Sequence, residues 1–188
     1  MIVCIFGASG TALDKKYIAA TELLGEKLAA KGHTLIFGGG ANGLMGAAAR
    51  GFKAKNGKVI GVAPRFFDKE GILFQQCDEF VWPDSMRDRK KYMEDHADAF
   101  IVAPGGIGTY EEFFEVLTLK QLARHAKPII LFNVDGFFDK LIKLISEDIS
   151  TGFIREQTRE LFAVSDDPEE LIRFIENDKT DINSISFI

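Results

Sequence analysis

The sequence predicts an α/β protein: a Rossmann-like, doubly wound parallel sheet with helices on both faces, in a single domain. Short segments that are apolar throughout alternate along the chain with longer segments of helical periodicity. Strands of that kind are typical of a parallel sheet that helices cover on both faces. Glycine-rich stretches follow two of the apolar segments, after Phe37 and Ala103. In a doubly wound sheet, these stretches lie at the carboxyl ends of strands, where ligands bind.

The alternation starts with an apolar run at 2–6, which predicts a buried strand, and continues with a helix near 14–31 that carries Leu24, Leu28 and Ala29 at helical spacing. Further strands are predicted at 34–37, 58–63, 79–82, 99–103, 128–133 and 161–165. Further helices are predicted at 44–55, at 85–96, from near Thr109, after Gly136 and at 167–177. Residues 64–78 are predicted to be a loop or irregular. We expect the domain to span 1–176, followed by a tail, 177–188, without assigned structure.

Composition excludes several classes of function. A formal charge of −5 and a pI of about 5.3 argue against broad nucleic-acid binding. No apolar run approaches the ~18 residues of a membrane span, so we expect no membrane partner. Cys4 and Cys77 have neither CxxC nor zinc spacing, which indicates no metal site and a reducing, cytoplasmic location. His33, His96 and His125 are isolated in the sequence and are interpreted as surface or capping residues.

The glycine-rich stretch at 37–49 follows a strand and opens a helix. Its glycines allow positive φ and close approach of the backbone to a ligand. It lacks the Gly-Lys-Ser/Thr of a Walker A loop, and its partial fit to GxGxxG is weak evidence for a dinucleotide. A tight turn in which Gly43, Gly46 and Ala47 let the helix pack closely on the sheet explains the pattern equally well, and both roles can coexist.

The stretch "PGGIGTYEE" at 104–112 is more specific. Gly105, Gly106 and Gly108 free backbone N–H groups to face a ligand, and the start of a helix adds partial positive charge. This arrangement favours a phosphate as the ligand, and the Thr109 hydroxyl could hydrogen-bond it. The glutamate Glu112 at the end of this stretch also has a purely structural interpretation, because Thr109 and Glu112 form the T-x-x-E pattern of a capping box.

Helical spacing favours a functional role for Glu112. Tyr110, Phe113, Phe114 and Leu117 form one predicted apolar face, while Val116, Leu119 and Ala123 form a second, roughly opposite. Glu112 is aligned with the second stripe, so its carboxylate would be partly desolvated. A desolvated acid beside a ligand pocket is a catalytic candidate. A helix that is apolar on two faces also suggests a second subunit.

The cluster Arg87–Lys91 is the only concentrated positive charge in this acidic chain. A charge run is most often a solvated helix face. Here, however, the cluster follows the predicted strand 79–82 at its carboxyl edge, and arginine is suited to gripping a phosphate or carboxylate with two hydrogen bonds.

Three stretches now match one family: "GGGANGLMGAAA" at 38–49, "SMRDRK" at 85–90 and "PGGIGTYEE" at 104–112. In this order they resemble the LONELY GUY (LOG) proteins, the cytokinin riboside 5′-monophosphate phosphoribohydrolases, whose pattern PGGxGTxxE is met in full. The resemblance runs from residue 2 to about residue 176. This chain departs from the pattern at its first turn, where "FGASGT" replaces the more usual Cys-Gly-Ser-Ser form.

The resemblance implies hydrolysis of the N-glycosidic bond of AMP or N6-modified AMP, releasing free base and ribose 5-phosphate, without a cofactor. It implies that Arg89 and Glu112 are the catalytic pair. The substrate-binding residues that it implies are Glu70, Met86, Arg89, Lys90, Gly105, Gly106, Ile107, Gly108, Thr109, Tyr110 and Glu111. It also implies a homodimer. Relatives are often labelled lysine decarboxylases, but no lysine here is marked as a pyridoxal site.

Glu112 is expected to stabilise the positive charge that develops on ribose and to activate water. Two roles stay open for Arg89, orienting Glu112 or binding phosphate, and the proton donor to the leaving base is unassigned. Whether the base is adenine or an N6-modified adenine is also open. The main alternative is a non-enzymatic binder of a phosphorylated ligand, like the molybdenum-cofactor carriers. A redox Rossmann protein is disfavoured, because the first βα turn lacks a clean GxGxxG.

Overall fold

The computed structural model describes residues 1–178, and within them one seven-stranded sheet has the strand order β4-β3-β2-β1-β5-β6-β7, with every strand pair parallel. The strands are β1 (Ile2–Phe6), β2 (Thr34–Phe37), β3 (Lys58–Val62), β4 (Glu79–Val81), β5 (Ala99–Val102), β6 (Ile129–Phe132) and β7 (Ala163–Ser165). The α-helices are α1 (Lys15–Ala30), α2 (Gly43–Ala54), α3 (Met86–His96), α4 (Ile107–Gln121), α5 (Asp139–Ser150) and α6 (Pro168–Asn177). Short 3₁₀ turns lie at Arg65–Phe67, Val134–Gly136 and Glu156–Glu160.

The predicted fold class is confirmed: the sheet is doubly wound and covered on both faces. In β1, Val3 and Ile5 face the core beneath α1, α2 and α6, whereas Cys4 and Phe6 face the core beneath α3, α4 and α5. Both faces of the strand are buried, which is why the strand segments are apolar throughout. From β1 the chain winds outward to β4, returns through α3 to β5 beside β1, and then winds the other way. The switch point between β1 and β5 is where such sheets bind ligands.

Helix α4 begins at Ile107, two residues before the predicted start, with Gly106 as its N-cap residue. Thr109 is therefore the third residue of the helix and is buried. The capping-box interpretation of Thr109 and Glu112 is wrong, because Thr109 does not occupy the cap position that this motif requires. The carboxylate of Glu112 is free to serve another group.

The prediction of two opposite apolar faces on α4 is also wrong. Phe113, Val116 and Leu117 are all buried in the same core, since i+3 and i+4 neighbours lie on one side of a helix. Phe114 is exposed on the other side. Ala123 lies beyond the helix with a φ of 53°. The spacing argument for a second subunit is thereby weakened, and the homodimer stays a prediction.

Residues 64–78 are largely irregular, as predicted, but an antiparallel bridge pairs Leu73 with Gly40 after β2. Helix α6 ends at Asn177, and most of the predicted tail, 179–188, lies outside the described residues. None of the helices within 1–178 is long and apolar enough to cross a membrane. Within the same residues, no group of three or more metal-ligating side chains comes together.

Candidate active site

A cavity of about 590 Å³ opens at the carboxyl edge of the sheet, above the switch point between β1 and β5. Five chain segments line it: the turn after β1 (Gly7, Ala8, Ser9), the turn after β2 with the start of α2 (Gly38, Gly40, Asn42, Met45), the segment after β3 (Phe67, Ile72, Leu73), α3 (Met86, Arg89, Lys90) and the start of α4 (Gly106, Ile107, Gly108, Thr109, Glu111, Glu112). Its volume suits a small organic ligand.

Arg89 and Glu112 form an ion pair in this cavity. The Nη1 of Arg89 donates to Oε1 of Glu112 at 3.3 Å, and the two side chains are only 9% and 12% exposed. Nε of Arg89 donates to the backbone oxygen of Val62 at the end of β3, at 3.1 Å. The guanidinium is thus held by two acceptors on different elements, one a carboxylate and one a backbone carbonyl. This arrangement fixes the direction in which the Glu112 carboxylate faces the cavity.

Burial raises the pKa of Glu112 above its usual range, because a buried carboxylate loses its hydration. The positive charge and the hydrogen bond of Arg89 act in the opposite direction and partly offset this effect. A carboxylate with a raised pKa is a stronger base than an exposed one. Glu112 therefore has the environment of a candidate general base, and the fixed charge of Arg89 favours its ionised form.

Lys90, the next residue on α3, pairs with two other carboxylates of α4. Its Nζ lies 2.7 Å from Oε1 of Glu111 and 2.7 Å from Oε2 of Glu115. Arg89 and Lys90 together hold the first two turns of α4 against α3. The positive charge of Lys90 also borders the cavity, beside the start of α4.

The amino-terminal end of α4 has features that suit an anion. Gly106 and Gly108 line the cavity and have open space where a side chain would project, so a ligand can approach their backbone closely. Gly105 differs, since a Cβ there would come within 2.1 Å of Oγ1 of Thr109. The helix start adds partial positive charge to the N–H groups of its first turn.

The structure brings together most of the site residues predicted from the sequence. Met86, Arg89, Lys90, Gly106, Ile107, Gly108, Thr109, Glu111 and Glu112 all line the cavity. Three others do not. Glu70 is exposed on the segment after β3. Gly105 lies below Thr109. The Tyr110 ring packs edge-on against Phe138 in the core, because successive helical residues point about 100° apart. Substrate contacts from these three stay predictions that the cavity lining does not support.

In the segment after β3, sequence reasoning predicted only Glu70 and missed the residues that line the cavity. Phe67, Ile72 and Leu73 line the cavity, yet they belong to no motif and their spacing carries no periodic signal. Gly38, Gly40 and Asn42 had been identified only as a turn that could serve packing or binding. Their position at the end of a predicted strand was the available signal.

Comparison with known proteins identifies the family. A family model described as "possible lysine decarboxylase" matches residues 45–175. A probable cytokinin riboside 5′-monophosphate phosphoribohydrolase of Oryza sativa subsp. japonica is 37% identical over 174 residues, which cover 93% of this chain and 77% of the relative. A cytokinin riboside 5′-monophosphate phosphoribohydrolase of Arabidopsis thaliana is 34% identical over 174 residues, covering 93% and 76%. The chain belongs to the LONELY GUY family.

Solved structures agree on the fold of this LONELY GUY family member. The molybdenum cofactor binding protein of the phototrophic bacterium Rippkaea orientalis superposes with a TM-score of 0.71 at 23% identity, over 93% of this chain and 94% of the other. A Moco carrier protein of Chlamydomonas reinhardtii superposes with a TM-score of 0.70 at 20% identity, over 93% and 94%. At these identities the likeness concerns the fold alone.

Proposed function

We propose that this protein is a nucleoside 5′-monophosphate phosphoribohydrolase, which cleaves the N-glycosidic bond of AMP or N6-modified AMP. The products are the free base and ribose 5-phosphate. The observation that carries the proposal is the buried pair of Glu112 and Arg89, which lies in a cavity beside the anion-binding start of α4. The names of the relatives in rice and Arabidopsis support the same reaction class.

The phosphate of the substrate would bind at the start of α4. The N–H groups around Gly106 and Gly108 and the charge of Lys90 form the positively polarised part of the cavity. Glu111 and Glu115 hold the Lys90 ammonium group at the cavity border rather than in solvent. Phosphate binding at this point would place the ribose next to Glu112, one helical turn further along α4.

Glu112 would act on the ribose carbon. As the C1′–N bond breaks, its electron pair leaves with the base and positive charge develops on the ribose ring. The ionised carboxylate stabilises that charge, accepts a proton from water, and directs the water oxygen to C1′. The base takes up a proton as it leaves. Arg89 has its Nε and Nη1 engaged by Val62 and Glu112, which favours a role in orienting the carboxylate.

The proposal is tested by incubating the purified protein with AMP and with N6-isopentenyl-AMP and separating the released base by chromatography. We expect base release from at least one substrate, and a loss of at least about 100-fold in Glu112→Gln, because a proton acceptor is removed without changing side-chain size. Glu147→Gln changes a largely exposed glutamate of α5 that lies outside the cavity lining, and this matched control should lose far less. If concentrated wild-type protein leaves both nucleotides intact, the proposal is wrong.

The alternative, a carrier of a phosphorylated ligand, draws on the fold likeness to molybdenum-cofactor proteins. A carrier has no need of a desolvated carboxylate next to the sugar of its ligand, so Glu112 favours the hydrolase. A pterin-like absorbance that persists through purification, combined with no base release, would support the carrier instead.

A further inference from the structure

Lys90 contacts two carboxylates of α4 that lie in different surroundings. Its Nζ is 2.7 Å from Oε1 of Glu111 and 2.7 Å from Oε2 of Glu115. The Glu111 side chain is 61% exposed and lines the cavity, whereas the Glu115 side chain is 36% exposed and lies outside the cavity lining. The lysine side chain is only 13% exposed. One ammonium group is thus shared between a carboxylate that a ligand can reach and a carboxylate that is set back from the cavity.

The positions of the two glutamates along α4 add to this difference. Residues four positions apart lie on the same side of a helix, so Glu115 is about one turn further than Glu111 from the start of α4. Like charges at this spacing repel each other, and the ammonium group that contacts both of them offsets the repulsion. Glu111 is therefore the partner of Lys90 that lies towards the proposed phosphate site.

Releasing Lys90 has a different cost for each glutamate. Glu111 regains water when its ion pair opens, and an ion pair with an exposed partner contributes little free energy. Oε2 of Glu115 is buried, and its close partner within residues 1–178 is the Lys90 ammonium group. Opening that contact would leave a buried carboxylate oxygen without a countercharge, which is unfavourable. The contact with Glu111 is thus the one that a ligand can replace.

We propose that the substrate phosphate displaces Glu111 from Lys90, and that Glu115 is a positioning residue that keeps the ammonium group at the cavity during this exchange. A phosphate oxygen at the start of α4 takes over the hydrogen bond that Nζ donates to Oε1 of Glu111 in the ligand-free protein. Glu111 then turns into solvent, and Glu115 retains its contact. This inference rests on the proposed function and assigns opposite roles in phosphate binding to two glutamates of one helix.

The two glutamates are expected to have opposite effects on KM. Glu111→Gln removes the charge that competes with phosphate for Lys90, so KM for the nucleotide should fall about two- to fivefold, the range for the loss of an exposed ion pair. Glu115→Ala frees the ammonium group, whose rotamer freedom is then lost only when phosphate binds, and KM should rise about fivefold. In both variants kcat should stay within about twofold of the wild type, because the contact between Arg89 and Glu112 is kept.

The experiment measures kcat and KM of the full-length protein, with the nucleotide that the wild type hydrolyses, for the wild type, Glu111→Gln, Glu115→Ala, Glu115→Gln and Asp95→Ala. Glu115→Gln keeps an oxygen that can accept a hydrogen bond from Lys90, so its KM should lie between those of the wild type and Glu115→Ala. Asp95→Ala is the matched control. It breaks a 2.8 Å ion pair with Lys91 on the same helix as Lys90 but outside the cavity lining, and it should leave both constants unchanged.

A purely electrostatic role for Glu115 would give a different result. If Glu115 acted only through its negative charge, removing that charge would favour phosphate, and KM would fall in Glu115→Ala and Glu115→Gln as it does in Glu111→Gln. A lowered or unchanged KM in Glu115→Ala would therefore overturn the inference, as would a raised KM in Glu111→Gln. Thermal unfolding shows whether each variant is folded. If Glu115→Ala is unfolded, Glu115→Gln decides, and its KM has to exceed that of the wild type.

Failure of the inference is distinguishable from failure of the proposed function. If the nucleotides are hydrolysed but KM does not move in these opposite directions, the exchange at Lys90 is wrong and the function stands. If neither AMP nor N6-isopentenyl-AMP is hydrolysed, the proposed function is wrong. The dissociation constant of ribose 5-phosphate, measured by calorimetry, then replaces KM. Tighter binding in Glu111→Gln and weaker binding in Glu115→Ala would support the inference, and any other order would overturn it.

Discussion

Gly38 lies directly beneath the guanidinium of Arg89, so closely that a Cβ at residue 38 would come within 1.8 Å of Nη2. The guanidinium can lie this close only because residue 38 has no side chain, since a Cβ atom at 1.8 Å would overlap the Nη2 nitrogen. The turn after β2 thereby sets the position of an arginine on α3, which in turn holds Glu112 on α4. Three elements that are distant in sequence meet in one contact network at the switch point.

Gly38→Ala is expected to reduce activity strongly while the protein stays folded. The overlapping atom is the far end of a flexible side chain, so the new methyl group would displace the Arg89 guanidinium and leave the backbone in place. A displacement of about 1 Å of a group that orients the catalytic carboxylate can lower kcat by about 100-fold. The free energy of unfolding should fall by about 1 to 3 kcal/mol, because displacing the guanidinium weakens its hydrogen bonds to Val62 and Glu112. Steady-state kinetics and urea unfolding measure the two quantities.

Gly10→Ala is the control for this substitution. A Cβ at Gly10 would meet nothing closer than Cδ2 of Leu13, at 4.0 Å, and Gly10 does not line the cavity. Its kcat should stay close to that of the wild type. An equal loss of kcat in both variants would show that the position of Arg89 is not responsible.

Arg89→Gln should shift the acid limb of the pH–rate profile to higher pH. Burial raises the pKa of Glu112, and the neighbouring charge of Arg89 counteracts the rise. Removing that charge raises the pKa further, so the active carboxylate form is lost at a higher pH as the solution is acidified. The profile of log kcat/KM against pH, measured on the residual activity, gives the midpoint in each protein.

Arg87→Gln provides the matched comparison, because Arg87 is exposed on the same helix and does not line the cavity. Its acid limb should coincide with that of the wild type. If Arg89→Gln loses activity but keeps the wild-type midpoint, Arg89 does not interact with Glu112 during catalysis, and a role at the phosphate would be favoured instead.

The fold was predictable because its five central strands, β1, β2, β3, β5 and β6, are buried on both faces. In β1, successive residues enter the two different cores, so all four of Val3, Cys4, Ile5 and Phe6 are apolar. An unbroken apolar run of this kind can be recognised from the sequence alone. The glycine turn at 104–109 and the pair of Arg89 and Glu112 were identified from motifs. Arg89 and Glu112 are 23 positions apart in the sequence. Strand β5, which lies between their helices in the chain and pairs with β1, brings the two helices to the same edge of the sheet.

Two features depended on contacts that the sequence does not display. Thr109 has the identity of an N-cap residue, but Gly106 caps α4, because the chain already turns into the helix at Ile107. The placement of Ile72 at the cavity depends on hydrogen bonds between residues about 30 positions apart, from Asn42 to Gly71 and from Ala41 to Ile72. Such pairing of irregular segments leaves no periodic signal in either stretch.

Glu94→Gln is expected to stabilise the protein above neutral pH. Glu94 is half-buried on α3, and its desolvation, together with the negative charge of Glu115 on α4, raises its pKa from 4.5 to about 7. The folded state therefore holds a proton that the unfolded chain releases between pH 4.5 and about 7, and the wild type loses stability as the pH rises through this interval. Glutamine resembles the protonated form at every pH. The whole shift corresponds to about 3 kcal/mol, and solvent screening of a half-buried group reduces the expected gain at pH 8 to about 1 kcal/mol.

Urea unfolding of both proteins at pH 4.5 and pH 8 measures this gain in the free energy of unfolding. The comparison at pH 4.5 is the internal control, where the difference between the two proteins should vanish. A stability difference of the same size at both pH values would mean that the substitution acts through packing and that Glu94 does not titrate in this interval.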